Sequence, residues 1–319
     1  MHEKNSFFID PFTDFGFKHL FGRKESKPLL IDLLNAILKP ERKIVEIEYL
    51  PTEQIGFTEF DRKAVFDIHC RDEDGNMFII EMQQLWQTYF KARSLFYSMF
   101  PISRQSKKGE WNFELKKTFT ICFMDFTFDD SDQMLRRVKL VDVQTNKVFS
   151  DLLSFLYVEM PKFNKEEHEL ITREDQWLYV LNRLTILKEI PLFLSEDPVF
   201  KHFFMDAEQA KLSLEELHMY FLSRKAKWDE YAIMETALIR GQTEGKEAGI
   251  AMGKAEGKAE GKAEGKVEGR AEGKAEATEE RNTTFVTSLL QNTNHSPEEI
   301  AKLVGVNLDF VLQVKKSLV

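Results

Sequence analysis

The sequence predicts an α/β core built in the order helix, three strands, helix, strand, followed by a helical extension, a charged repeat and a small helical end. Three observations carry this reading. Apolar residues recur at helical spacing in one early segment, runs rich in β-branched and aromatic residues recur at strand length in four later ones, and from Gly245 a four-residue unit repeats.

The elements follow in order. After an aromatic lead (Phe7, Phe8, Phe12, Phe15, Phe17, Phe21), the stretch KPLLIDLLNAILK places Leu29, Leu30, Leu33, Leu34, Ile37 and Leu38 at helical spacing, and Pro40 stops it. IVEIEYL (44–50), AVFDIHC (64–70) and MFIIEMQ (77–83) read as strands, with a turn at Glu73-Asp74-Gly75 between the last two. TYFKARSLFYSMF reads as a helix that Pro101 should kink or end, and KTFTICFMDFTF (117–128) returns to a strand. VKLVD (138–142) and LLSFLYVEM (152–160) suggest further strands. From Glu166 to about Arg240 the pattern is helical, with Trp177, Leu178, Val180 and Leu181 as core. In the repeat, Lys meets Lys and Glu meets Glu at i,i+4, and each Gly costs a helix roughly 1 kcal/mol. A lone helix there is marginal. The segment fits either a solvated spacer or a helix that associates with a second copy. Ser296-Pro297-Glu298-Glu299 combines an N-cap, a first-turn proline and a capping-box glutamate, so a helix starts there; after Gly305 another follows, giving a unit like a small helix-turn-helix.

The 319 residues correspond to about two structured units, and 28 Phe among 43% hydrophobic residues supply a Phe-rich core. The net charge of −9 argues against a polybasic coat for nucleic acid, yet Met1 to Phe126 is nearly balanced at −1. Any surface for a polyanion belongs in that first part. Cys70 and Cys122 offer neither a disulfide framework nor a zinc site, no segment has the ~20 apolar residues of a membrane span, and MHEKNSFFID lacks the pattern of a signal peptide. A cytoplasmic protein without a membrane segment or a small-molecule cofactor is expected.

The hairpin at 64–83 carries the chemistry. Period-two alternation sets Phe66, Ile68 and Cys70, with Phe78, Ile80 and Met82, on one face; Asp67, His69, Glu81 and Gln83 share the other. A two-residue turn would put Asp67 opposite Met82 and mix the faces. A three-residue loop, Glu73-Asp74-Gly75 with Gly75 left-handed, puts Asp67 opposite Glu81 and Phe66 opposite Met82. Two directly opposed carboxylates repel by up to about 1 kcal/mol unless a cation lies between them, and an all-oxygen pair favours Mg²⁺ or Mn²⁺ completed by phosphate oxygens. The same acids on a solvated face would be ordinary. Two features weigh against that: the strands around them are strongly apolar, and Lys91 to Lys117 carries seven cations against Glu110 and Glu114. Within that stretch Arg93, Tyr97 and Arg104 fall on one helical face, and Lys107 and Lys108 add charge suited to phosphates.

Asp67, fourteen residues, Glu81, one residue and Gln83, in this element order, resemble the PD-(D/E)XK nuclease signature. More closely, DPFTDFGFKHLFG (10–22), the leucine-rich helix, FDIHCRDEDGNMFIIEMQ (66–83) and the Arg93/Tyr97/Gln105 pattern resemble the PD-(D/E)XK family of transposases, also called recombination-promoting nucleases. The resemblance covers about 1–240. It implies a restriction-endonuclease-like core, Asp67 and Glu81 as metal ligands, Gln83 in the place of the signature lysine, and Asp14 near the metal. Gln83 is the departure, since an amide orients water but brings no charge. His69 faces the same side as an accessory base. The expected organisation is a nuclease-like domain over 1–160, a helical support region over 161–244, the repeat over 245–280 and the helix-turn-helix-like unit over 281–319. The expected function is a Mg²⁺- or Mn²⁺-dependent endonuclease acting on DNA as a homodimer. The rivals are a nucleic-acid-binding or scaffolding protein on a nuclease fold, and an assembly protein whose repeat is its working part.

Overall fold

The computed structural model describes residues 6–54, 64–106 and 112–318. It divides into two compact units, Met1–Glu235 and Thr236–Val319.

In the first unit, helix α1 (Asp14–Phe21) is capped by Thr13, whose hydroxyl accepts from the Gly16 amide, and buries Phe17, Leu20 and Phe21. Gly16 is required here: a Cβ would stand 2.0 Å from the Asp10 carbonyl oxygen. Helix α2 (Lys27–Leu38) buries its leucines and ends where Lys39 turns left-handed at φ 49°. The Asn35 side chain then fixes the outgoing chain, donating to Ile44 O at 2.8 Å and accepting from Ile44 N at 2.9 Å.

Strand β1 (Ile47–Tyr49) follows, then a two-stranded ribbon of β2 (Glu53–Gln54) and β3 (Ala64–Val65), then β4 (Ile68–Asp72) and β5 (Met77–Gln83). Helix α3 (Phe90–Arg104) leads to β6 (Thr118–Met124), and β7 (Leu135–Asp142) and β8 (Lys147–Glu159) complete a six-stranded sheet in the order β1-β4-β5-β6-β8-β7. The central strands β5, β6 and β8 run parallel, and the flanking pairs are antiparallel. This is the mixed α/β core that the sequence predicts, with β8 as an additional central strand. Pro101 neither ends nor breaks α3, which continues to Arg104.

One face of the sheet carries Ile68, Cys70, Phe78, Ile80, Met82, Ile121, Phe123, Leu156 and Val158. It packs into the large core with α1, α2, α4 (Arg173–Arg183) and α5 (Pro198–Ala207), around the buried Trp177. The other face carries Ile79, Glu81, Cys122 and Tyr157 beneath α3. The two cysteines thus lie on opposite faces of the sheet, both fully buried. Parallel strands covered on both sides have no solvated face. The expected division into an apolar and a polar face is corrected accordingly, because α3 roofs the polar one.

Helix α6 runs from Leu214 to Asn292, through the whole charged repeat. Its first turns belong to the first unit, where Tyr220 is buried. In the second unit, a Cβ built on any of the repeat glycines from Gly245 to Gly273 meets nothing within 4 Å. Helices α7 (Pro297–Val304) and α8 (Leu308–Ser317) pack Ile300, Ala301, Val311 and Val314 on Val286. The Ser296 capping box and a left-handed Gly305 stand where the sequence places them.

Candidate active site

The site is built on the β4–β5 hairpin. Its register pairs Ile68 with Ile80 and Cys70 with Phe78, which sets Asp67 opposite Glu81, and the connection is the three-residue loop with Gly75 at φ 85°. Asp67 is not itself in a strand. The chain leaves β3 after Val65 and enters β4 at Ile68, and in this break Phe66 swings under α3, packing with Ile79, Phe100 and Tyr97. That corrects the placement of Phe66 with Ile68 and Cys70. Asp67 takes over the work of a backbone acceptor: its Oδ2 accepts from the Met82 amide at 2.8 Å, which continues the hairpin by a side chain.

Glu81 lies at the carboxyl end of β5 with only 6% exposure. Its Oε2 accepts from Gln83 Nε2 at 3.3 Å, and among the described residues its buried Oε1 has no partner. Gln83 Oε1 in turn accepts from Arg93, whose guanidinium also donates to Gln87 and lies over the Tyr97 ring at 5.9 Å. Asp67, Glu81, Gln83, Arg93 and Tyr97 are therefore brought into one constellation between the hairpin and α3.

His69 sits further along the same strand, with 6% exposure. Its Nδ1 lies 3.0 Å from the Pro51 carbonyl, which can only accept, so Nδ1 carries the proton and the unpartnered Nε2 is the basic nitrogen. Burial, with the nearby Arg104 charge, pushes its pKa down and keeps it neutral. Arg104 is near enough to His69 for its charge to be felt there. At the amino end of β6, Lys117 pairs with Asp151 at 2.5 Å and Gln105 accepts from the Lys116 amide at 2.6 Å. Lys107 and Lys108 lie outside the described residues.

Asp14 is close enough for its charge to be felt at Asp67, and it holds Lys18 beside it. Lys18, on the next turn of α1, places Nζ 2.5 Å from Asp14 Oδ1 and 4.0 Å from Asp67 Oδ1. Neither Lys18 nor the residues of α6 that close the strand ends stood out in the sequence. Lys227 Nζ pairs with Asp10 at 2.8 Å, Tyr231 donates to Asp125 at 2.9 Å, and the Asp125 amide donates to Gln83 O at 2.9 Å. The one signal for Lys18 was its place in DPFTDFGFKHLFG, one helical turn after Asp14.

Electrostatically the carboxylates are frustrated. Burial pushes Asp67 up to about 6, against the hydrogen bond from Met82 and the charge of Lys18. Burial and the Asp67 charge push Glu81 well above the usual carboxylate range. An acid whose folded pKa is raised holds its proton in the folded state after the unfolded chain has lost it, so stability falls as pH rises through that window. Glu81→Gln, in chelator, is expected to melt higher than the wild type above pH 6, by about 1 kcal/mol, with the difference closing below about pH 4. Melting curves across pH check this; a variant that is less stable at every pH would contradict it.

The donor set fits a divalent cation. Two hard carboxylates with an unsatisfied buried oxygen suit Mg²⁺ or Mn²⁺, which keep several waters and need few protein ligands. Among the described residues no group of three or more His, Cys, Asp or Glu is arranged around a metal position. Among them too, no helix is long and apolar enough to cross a membrane.

Comparison with curated proteins and with solved structures gave no match. The profile of the PD-(D/E)XK nuclease family transposases matches residues 11–237, which span α1, the hairpin, α3, the sheet and the start of α6. With the expected element order and a mixed six-stranded sheet in place, the chain belongs to the PD-(D/E)XK nuclease family transposases.

Proposed function

We propose that the protein is a metal-dependent endonuclease that hydrolyses DNA phosphodiester bonds in the processing of mobile elements or recombination intermediates. The observation that supports it most is the opposed Asp67–Glu81 pair, with the unpartnered Glu81 Oε1 at the carboxyl end of β5. Asp67 and Glu81 would hold Mg²⁺ or Mn²⁺, which when bound polarises the phosphoryl group and offsets charge on the leaving oxygen. Gln83, fixed by Glu81 and Arg93, orients a water for in-line attack, and Arg93 with Tyr97 borders the path of the phosphate backbone. His69 Nε2 is an accessory acceptor for a proton. Incubating purified protein with supercoiled plasmid and Mg²⁺ tests the reading: nicked or linear product supports it.

A second reading, a nucleic-acid-binding or scaffolding protein whose catalysis has faded, draws on one observation: an amide stands where the signature has lysine. Plasmid binding without any cut would favour it.

In either case Arg93→Ala should weaken binding to all sequences alike and reduce the slope of log K against log salt by about 1. The Lys107/Lys108 pair, assigned to phosphate contact from sequence, should act the same way. Fluorescence anisotropy over a salt series measures both; an unchanged slope removes these residues from the interface.

The charged repeat supports a homodimer. Its lysine and glutamate stripes repel within one helix and match across two, and its glycines leave open space into which a second helix can come close. Deleting residues 245–280, or raising salt, should loosen the dimer in light scattering. A full-length monomer at tens of micromolar would make the repeat a spacer. A cytoplasmic setting is in keeping with the two unpaired thiols.

A further inference from the structure

The site lacks a lysine in its strand but not a lysine. Lys18 approaches from α1, a helix that the Thr13 cap, the close-packed Gly16 and the buried Phe17, Leu20 and Phe21 hold firmly against the core. Its ammonium has three donors, of which Asp14 takes one at 2.5 Å; Asp67 Oδ1 lies 4.0 Å away, and the charge of Glu81 is also felt. The side chain keeps 41% exposure, so water and a phosphate can reach it. Arg93 is differently placed: its guanidinium is engaged by Gln83 and Gln87 and braced on Tyr97. Among the described residues Lys18 is the cation on the Asp67 side of the carboxylate pair, whereas Arg93 acts from the Glu81 side.

We propose that Lys18 is a catalytic residue, supplying from α1 the positive charge that Gln83 cannot supply from β5. This rests on the nuclease reading. In the reaction the attacking water oxygen forms its bond to phosphorus as the bond to the leaving sugar oxygen breaks. Lys18 donates hydrogen bonds to the attacking water and to a non-bridging phosphate oxygen as negative charge grows there. It stays protonated throughout: the proton released by the water goes to solvent, directly or by way of His69 Nε2, and the leaving oxygen takes one from solvent. Asp14 is then a positioning residue, orienting the ammonium without touching the reacting atoms.

The test uses the full-length protein and three variants, Lys18→Met, Lys18→Arg and the double variant Lys18→Met with Gln83→Lys. Plasmid cleavage in Mg²⁺ is read beside Mn²⁺ affinity by calorimetry and the melting temperature. Lys18→Met is expected to cut about a hundredfold more slowly or worse, with Mn²⁺ bound at least as tightly, because a competing cation has been removed. Lys18→Arg should keep more of the rate than Lys18→Met. Putting a lysine at 83 should recover at least tenfold in the Lys18→Met background, since the charge is restored from the strand. Wild-type rates in Lys18→Met would overturn the proposal and leave the nuclease reading standing. A loss that the lysine at 83 does not repair, with weakened Mn²⁺ binding or a lowered melting temperature, would assign Lys18 to holding α1 and overturn it as well. A wild-type protein that cuts no nucleic acid overturns both.

Discussion

Replacing Asp67 or Glu81 with alanine should remove metal-dependent cleavage, by about a thousandfold or more, without unfolding the protein. Asp67 stands opposite Glu81 in the register of the hairpin, and on the nuclease reading each carboxylate would be part of the protein's contribution to a cation. Removing one also removes the repulsion between them. The metal-free Glu81→Ala variant should therefore be no less stable than the wild type, within about 1 kcal/mol. Asp67→Ala carries an additional consequence, because the Met82 amide loses its acceptor. Asp67→Asn separates the two roles, keeping an oxygen for the amide while losing the charge. Cleavage assays paired with urea melts decide it: full activity in either alanine variant removes the site from this strand pair.

The largest stability effect is expected at Trp177. Its ring is fully buried and packs on Phe21, Phe200 and Phe203, with centroids 5.9, 4.8 and 5.3 Å away, and its indole donates to Asp32 at 2.6 Å. Trp177→Ala should cost about 3–5 kcal/mol, from lost burial plus the cavity left behind. That corresponds to a melting temperature lowered by roughly 6–20 °C. Because Phe21 belongs to α1, the same cavity loosens the helix that carries Asp14 and Lys18, so activity should fall at temperatures where the variant is still folded. A denaturation midpoint within error of the wild type would show that the helical layer does not depend on this contact.

Much of this arrangement was legible in the residues. The Gly75 turn and the alternation of apolar positions are local signals, and together they set the hairpin register and the facing of Asp67 and Glu81. The helical end was equally readable from Ser296 and Gly305. What escaped was the effect of distant packing. Phe66 looked like a continuation of its strand because period two says so, but α3 offers a pocket on the opposite side and the chain breaks at Asp67 to fill it. The cations of the basic stretch are close in sequence but not all close in space. A helix fifteen residues long separates their ends, so Arg93 and Lys117 come to opposite ends of the sheet. Lys18 is near Asp67 only through the fold: a separation of 49 positions carries no periodic signal that could have linked them.

The two cysteines make the sheet a natural clock. Cys70 is sealed under the α1 and α2 layer and Cys122 under α3, and burial pushes both thiols up, Cys70 to about 12, so neither has thiolate to offer while its cover is closed. An alkylating reagent can then mark each sulfur only during the moments when its own layer lifts. The rate at Cys122 times the opening of α3, and with it Arg93 and Tyr97, whereas the rate at Cys70 times the opening of the main core. If α3 must lift for a nucleic acid strand to enter, Cys122 will be labelled first, and a bound cation between Asp67 and Glu81 will slow it while leaving Cys70 untouched.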